Sequence, residues 1–229
     1  MYSSRNHRKK RMRTKAAETS KISERRLAAR KTAAVEYEKR RARVLKAAAE
    51  VFKELGYSTA TVDDVAKRAK IDRASIYYYF KGKKDLLREM VGGATAENVD
   101  MAEDIANSDR SPREKLRKLM VDLLVSYERH YPYLYVYVQE DMSRLLQDKS
   151  PWSKRMVALN HRFDVAVVQI IQEGLKSKAF RSTGDAKLIA AGVVGMCNWS
   201  HRWFEPSGKR RAAEIAETFA DMVLDGLCS

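Results

Sequence analysis

Residues 61–87 read TVDDVAKRAKIDRASIYYYFKGKKDLL, and this stretch decides the fold. Thr61 stands three residues before Asp64, the spacing at which a hydroxyl and a carboxylate cap a helix start. Val62, Val65, Ala66 and Ala69 then recur at helical spacing and give one apolar face. Lys70 and Ile71 leave room for a turn only. Asp72 can cap a second short helix, residues 73–80, in which Ile76 and Phe80 lie one turn apart and face inward. Arg73, Ser75, Tyr77 and Tyr78 remain for the outer face. Hydrogen-bonding and aromatic side chains on a short helix in a basic segment fit a recognition helix lying in the major groove of DNA.

The same residues resemble the helix-turn-helix of the TetR family of transcriptional regulators. The similarity runs through Thr61, Val62, Asp64, Val65, Ala66 and Ala69, then Ile76, Tyr77, Tyr79 and Phe80, then Lys81, Lys83, Asp85, Leu86 and Leu87. It covers about residues 37–90. Ala74 departs from a common Gly, and Asp72 from a common Ser or Thr; Asp72 still caps but is no neutral phosphate donor. The resemblance implies phosphate contacts from Thr61, Tyr78, Lys81 and Lys84, with Arg73, Ala74, Ser75 and Tyr77 toward base edges. It also implies an all-α fold: an N-terminal three-helix helix-turn-helix domain and a C-terminal helical domain for ligand binding and dimerisation.

Charge divides the chain in the same place. Residues 1–34 hold 12 Lys/Arg against 2 Asp/Glu, residues 35–90 hold 14 against 9, and residues 91–229 hold 19 of each. All of the +15 net charge therefore sits on the first 90 residues, which points to a polyanion partner there. The expected organisation is a basic, flexible arm over 1–34, a DNA-binding domain over 35–91 and a helical domain over 92–229. The arm has two readings: it tracks phosphates or enters a minor groove, or it is a solvated tail that adds non-specific attraction.

Working outward, residues 37–56 form the first helix, with Val44, Ala48, Val51, Phe52 and Leu55 on its apolar face and Gly56 as its stop. The helix opened by Lys83 is expected to run to about Val91, where Gly92-Gly93 starts the second domain. NSDRSP, 107–112, is a break with Pro112 suited to a first helical turn. Helices are then expected over 112–130, 132–147, 152–178, 185–204 and 209–227, separated by turn signals. Ala190, Ala191, Gly192 and Gly195 allow close helix approach, and 209–227 carries an apolar stripe wider than one partner needs. These two helices are read as a homodimer interface, with ordinary packing inside one chain as the alternative. A dimer sets two recognition helices about 34 Å apart and calls for a near-palindromic double-stranded operator.

YERHYPYLYVYVQEDM, 127–142, places five tyrosines within eleven residues, so some must face inside and find a hydroxyl partner. Either core packing or a pocket for an amphipathic ligand answers this. Met156, Asn160, Phe163, Val167 and Ile171 give the facing helix one polar member. The segment 195–208, GMCNWSHRWFEPSG, is similar to the ends of TetR regulators that respond to acyl-CoA thioesters. Trp199 and Arg202, one turn apart, then suit an adenine ring and a phosphate, with packing as the alternative. The candidate effector residues are Tyr127, Tyr131, Tyr135, Met142, Phe163, Trp199 and Arg202, and the effector a small hydrophobic molecule such as an acyl-CoA.

Other chemistries find little support. The four histidines, His7, His130, His161 and His201, are scattered without metal-ligand spacing. No nucleophile elbow, dinucleotide fingerprint or phosphate loop occurs. Neither an enzymatic role nor a cofactor is expected. No apolar run spans a membrane, no secretory signal opens the chain, and Cys197 and Cys228 read as buried thiols of a cytoplasmic protein. The rival readings are a repressor of an efflux pump sensing toxic amphipaths, a non-specific architectural DNA-binding protein and a helical enzyme with a basic tail.

Overall fold

The computed structural model describes residues 30–139, 150–181 and 184–227. Most of the basic arm, Met142 and Cys228 lie outside them. The chain divides into two compact units, Met1–Val44 and Leu45–Ser229. Of the first, residues 30–44 are helical and mostly exposed, so helix is present seven residues ahead of the expected start. Among its described residues the second has helices as its regular secondary structure and no strand.

Residues 45–55 (α1) bury Ala48, Val51 and Phe52, and Gly56, at φ +75°, ends the helix. Leu55 is 47% exposed, so it does not join the face expected of it. α2 (Val62–Ala69) and α3 (Arg73–Tyr79) follow, turning through Lys70 at φ 55°. Val65, Ala66, Ala69, Ile76 and Phe80 are buried between them and α1, as their spacing dictates.

α4 (Lys83–Ala106) is the main departure from expectation: it does not end at Val91 but runs 24 residues straight through Gly92-Gly93. The reason is burial. Leu86, Leu87, Met90, Val91, Ala94, Val99, Ala102, Ile105 and Ala106 keep one helical period across the glycines and are all buried. That outweighs roughly 1 kcal/mol of helix propensity lost at each Gly.

α5 (Pro112–Arg129) starts where the turn signal placed it, with Ser111 and Glu114 in a reciprocal cap and Pro112 in the first turn. α6 (Tyr133–Gln139) is described only up to its seventh residue; the rest of the helix expected over 132–147 lies outside the described residues. α7 (Pro151–Lys176) is capped by Ser150. α8 (Ala186–Trp199) gives way to a 3-10 turn, Ser200–Arg202, and so stops five residues short of Phe204. α9 (Ala212–Leu227) closes the chain.

α9 lies along α5 and α4 along α7. Leu116, Leu119, Met120, Leu123 and Leu124 of α5 meet Val167, Ile170 and Ile171 of α7 and Ile215, Ala216, Ala220 and Leu224 of α9 in one core. The wide stripe of α9 is therefore mostly covered within its own chain; Met222 stays exposed, and Phe219 and Val223 half-buried. At the end of α7, Gly174 lets the buried Phe180 ring lie flat on the helix, where a Cβ would fall 2.1 Å from Cδ2. None of the described helices is long and apolar enough to cross a membrane.

Candidate functional site

The outer face of the helix-turn-helix is polar and largely engaged with itself. The exposed Thr61 hydroxyl donates to Asp64 Oδ2 at 2.5 Å while the Asp64 amide donates back to Thr61 Oγ1 at 3.2 Å. The Thr61 hydroxyl, and with it the Thr61 amide donating to Asp64 Oδ2 at 2.9 Å, holds the Asp64 carboxyl below the usual carboxylate range. Asp72 accepts from the Ser75 amide at 2.8 Å and from the Ser75 hydroxyl at 2.7 Å, and the hydroxyl contact chiefly lowers its pKa. Ser75 is thus first a capping partner.

Arg73 lies 3.4 Å from Asp63 and donates to the Tyr77 hydroxyl at 3.2 Å. Tyr77 and Tyr78 are 46% and 72% exposed. Ala74 and Lys81 are exposed and Lys84 is half-buried. All eight residues expected at the DNA thus sit on or beside α2, α3 and the start of α4.

Two cations lock this surface. Arg68 forms a fork with Glu54, at 2.9 and 2.5 Å, and so fastens α2 to α1. Lys83 donates to three backbone carbonyls, Tyr57 at 2.7 Å, Ser58 at 3.0 Å and Ala60 at 2.8 Å. The first residue of α4 therefore collects the orphan carbonyls after α1, a role that a count of positive charges does not reveal.

A cavity of about 270 Å³ opens among α4–α8. Thr95, Asn98 and Val99 of α4, Leu123 and Tyr127 of α5, and Leu134, Tyr137 and Val138 of α6 line it. Asn160, Phe163 and Asp164 of α7 and Val194 and Asn198 of α8 complete the wall. The Tyr127 hydroxyl donates to Asn198 Oδ1, Tyr137 to Asn160 Oδ1 at 2.8 Å, and Ser126 to Asn98 Oδ1 at 2.6 Å. Burial pushes the Tyr127 and Tyr137 phenols up, and Asn160 partly offsets this for Tyr137. Burial also raises Asp164, against the pull of His161. Asp164, Val194 and Asn198 are shared with a groove of about 700 Å³ between α7 and α8.

Of the expected effector residues, Tyr127 and Phe163 line the cavity. Tyr131 and Tyr135 lie beside it in an aromatic cluster, with ring centroids 5.9 Å apart and Tyr135 5.7 Å from His201. Trp199 and Arg202 are exposed and stacked on each other at 5.1 Å, and they do not line the cavity. Met142 lies outside the described residues.

Thr95, Asn98 and Asp164 were not anticipated. Their signal was available for α4: Thr95 and Asn98 are polar residues at buried positions of an otherwise apolar period.

An exposed stripe of Leu188, Ala191, Gly192, Gly195 and Trp199 runs along α8. A Cβ at Gly192 or Gly195 would meet nothing within 4 Å.

The family described as bacterial regulatory proteins, tetR family, matches residues 44–90, and the tetracyclin repressor-like C-terminal domain matches residues 109–227. The chain is 26% identical over 196 residues to the HTH-type transcriptional repressor KstR2 of Mycobacterium tuberculosis, across 82% of this chain and 92% of KstR2. The solved structure of that ketosteroid transcriptional regulator superposes with a TM-score of 0.75 over 83% of this chain and 95% of KstR2. PfmR, a TetR family transcriptional regulator from Thermus thermophilus, is 30% identical with a TM-score of 0.66, over 80% and 97%. The transcriptional regulator SrpR of Pseudomonas putida is 31% identical over 149 residues, 64% of this chain and 66% of SrpR. The helix-turn-helix matches one of these families and more than half of the chain matches the other: the chain belongs to the TetR family of bacterial regulatory proteins.

Proposed function

We propose that this regulator is a homodimeric, sequence-specific repressor released from its operator by a small hydrophobic effector bound among α4–α8. The observation that carries the reading is α4. Its first residue, Lys83, holds the backbone that follows α1, and Thr95, Asn98 and Val99, about 18–24 Å further along, line the cavity. One rigid element thus touches both the reading head and the effector space. An effector that binds one position of α4 more tightly than the other shifts the head, and only by that difference in affinity.

In this reading Thr61, Tyr78, Lys81 and Lys84 hold phosphates, and Arg73, Ala74, Ser75 and Tyr77 approach base edges. The likeness to KstR2, a repressor described as a ketosteroid regulator, supports both the sign of regulation and a hydrophobic effector. An acyl-CoA is the finer form of the proposal. A cavity of about 270 Å³ takes only the acyl part, and the exposed Trp199–Arg202 stack offers an indole and a guanidinium outside it. The exposed small-residue stripe of α8, together with the exposed Met222 of α9, is the proposed dimer face.

Fluorescence anisotropy tests this with DNA from upstream of the protein's own gene, at near-physiological salt and with excess unrelated DNA. Binding that survives the competitor, falls for Ser75→Ala/Tyr77→Ala and is reversed by an acyl-CoA is expected. Binding lost equally to any competitor and abolished by removing residues 1–34 would favour the architectural reading instead.

A further inference from the structure

The helix of residues 30–44 buries almost nothing. Up to Arg43 its side chains are exposed, except for the half-buried Tyr37 and Arg41, and Val44 is the first to be buried. Packing therefore adds little to it, and strong helix formers such as Ala33, Ala34, Glu36, Glu38 and Ala42 sustain it. The stretch that matches the tetR family begins at residue 44, so the helix-turn-helix is complete without residues 30–43.

Charge says what this helix is suited to meet. Residues 30–44 hold six Lys/Arg against two Asp/Glu, a net +4, whereas residues 45–90 hold ten against seven, a net +3. The short helix thus outweighs the whole reading head. Several cations of the head are also engaged within the protein: Arg68 with Glu54, Arg73 with Asp63, and Lys83 with three backbone carbonyls. In the helix, among the described residues, Arg30, Lys31, Arg40 and Arg43 pair with no carboxylate. Lys39 meets Glu36 at 3.2 Å, but both side chains are exposed, and such a surface pair is weak. Uncompensated cations on an exposed helix of a DNA-binding protein are complementary to a phosphate backbone.

The helix also fixes their arrangement. Arg40 and Arg43 lie one turn apart with Lys39 beside them, and Glu38 stands apart with Ala34, Val35 and Ala42. Val44 leads directly into α1. Whatever course the helix takes, Arg30 lies within about 21 Å of Val44, the length of about six base pairs. Residues 30–44 hold no Asn or Gln, the side chains that pair with adenine edges.

We infer that residues 30–43 form a second DNA contact. Lys39, Arg40 and Arg43, with Arg30 and Lys31 farther out, hold phosphates of the duplex that flanks the bases met by α3, without reading the sequence of that flank. The inference uses the chain's membership of a DNA-binding family and is independent of the effector and of the dimer face.

The test uses the full-length protein and its Lys39→Gln/Arg40→Gln/Arg43→Gln variant. All three positions are exposed, so the melting temperature should hold. Selection of random duplexes by this variant defines the core that the head reads alone. Anisotropy then compares the bare core with the same core extended on each side by about eight base pairs of scrambled sequence, longer than the helix can reach. The flanks are expected to raise the affinity of the parent about tenfold and that of the variant less than twofold. On extended DNA the slope of log affinity against log salt should be shallower by about two to three in the variant, close to 0.9 for each lost phosphate contact. Lys176→Gln/Lys209→Gln/Arg210→Gln removes the same charge from exposed positions elsewhere and should keep the gain. Arg40→Lys/Arg43→Lys should keep it too, since a phosphate accepts a point charge whereas guanine needs the arginine fork.

No gain from the flanks in the parent, an undiminished gain in the triple glutamine variant, or an equal loss in the distant charge control overturns the inference. Loss of the gain in the double lysine variant, or a gain that follows the flank's base order, overturns its phosphate-only form. If selection returns no shared core, sequence-specific reading by the head fails. The salt slopes of parent and variant on long random duplexes then still decide the inference, which equal slopes would sink.

Discussion

Lys53 on α1 donates to the Glu205 carboxylate, 3.2 Å away, in the segment that follows the 3-10 turn. The same ammonium donates to the Tyr131 hydroxyl and lies 4.7 Å from the Tyr131 ring centre and 5.0 Å from that of Tyr135. Burial works to lower the Lys53 pKa, but the bonds to Tyr131 and Glu205 together outweigh it and raise it. One side chain of the DNA-binding head therefore joins the start of α6 to the end of the α8 region, one helical turn from the cavity residues Tyr127, Leu134 and Val138.

This makes Lys53 a second connection beside α4. Lys53→Met keeps the apolar stem and removes the ammonium. Glu205 is largely exposed, so the expected loss of stability is modest, about 1 kcal/mol in a urea titration. The larger effect is expected on release: operator affinity without effector should change less than threefold, while the effector-induced drop shrinks severalfold. An unchanged drop in the anisotropy titration would leave α4 as the sole route.

The two cap carboxylates of the reading head give it an acid limit. Asp64 and Asp72 have folded pKa values lowered by hydroxyl and amide donors, so each is a proton-releasing site that folding favours. Their stabilisation is present above the ordinary aspartate value of about 3.9 and is lost as pH falls through the lower folded value. Thermal melts between pH 5 and pH 2.5 should therefore show a falling midpoint, with a shallower fall in Asp72→Asn, whose amide caps without titrating. A parallel fall in the variant would assign the acid sensitivity elsewhere.

Much of this was legible in residues 61–87 because the helix-turn-helix is local. Its caps, its turn and its two inward residues all lie within a few positions of one another, where spacing alone decides. The course of α4 was not legible. Two adjacent glycines are a stop signal in isolation, and only the packing of α5, α6 and α7 on α4, behind Ala94, Val99 and Ala102, overrides it. The cavity was half legible for the same reason. Tyr127 and Phe163 announce themselves by size, whereas Asn98 acquires its role from Ser126, 28 positions away. Trp199 and Arg202 illustrate the reverse case: their one-turn spacing does bring them together, but on the outside.

The exposed Arg73 guanidinium pairs with Asp63, at 3.4 Å, across the turn of the reading head. In the proposed mode Arg73 approaches the bases and Asp63 lies near the phosphates. Asp63→Asn removes the competing acceptor charge and a repulsion toward DNA. Operator affinity in low salt is then expected to rise about threefold to tenfold. The slope of log affinity against log salt should steepen toward one extra phosphate contact. A decrease in affinity would place Asp63 among the groups that orient Arg73 rather than those that restrain it.

The dimer face is the easiest claim to separate from folding. Gly195 sits on the exposed side of α8, between Leu188 and Trp199, with open space where a side chain would begin. Gly195→Leu therefore fits the isolated protomer and adds helix propensity, so its melting temperature should hold or rise at low protein concentration. Across a two-fold axis the same leucine would meet its own copy, because an isologous contact doubles every bulk. Sedimentation should then show a monomer, against the dimer expected of the parent chain. Binding to a near-palindromic operator should lose its steepness, since the two heads are no longer tethered. Gly174→Leu is the contrast: there the added carbons strike the buried Phe180 ring within the protomer, and folding itself should fail. A Gly195→Leu protein that remains dimeric would move the interface off α8.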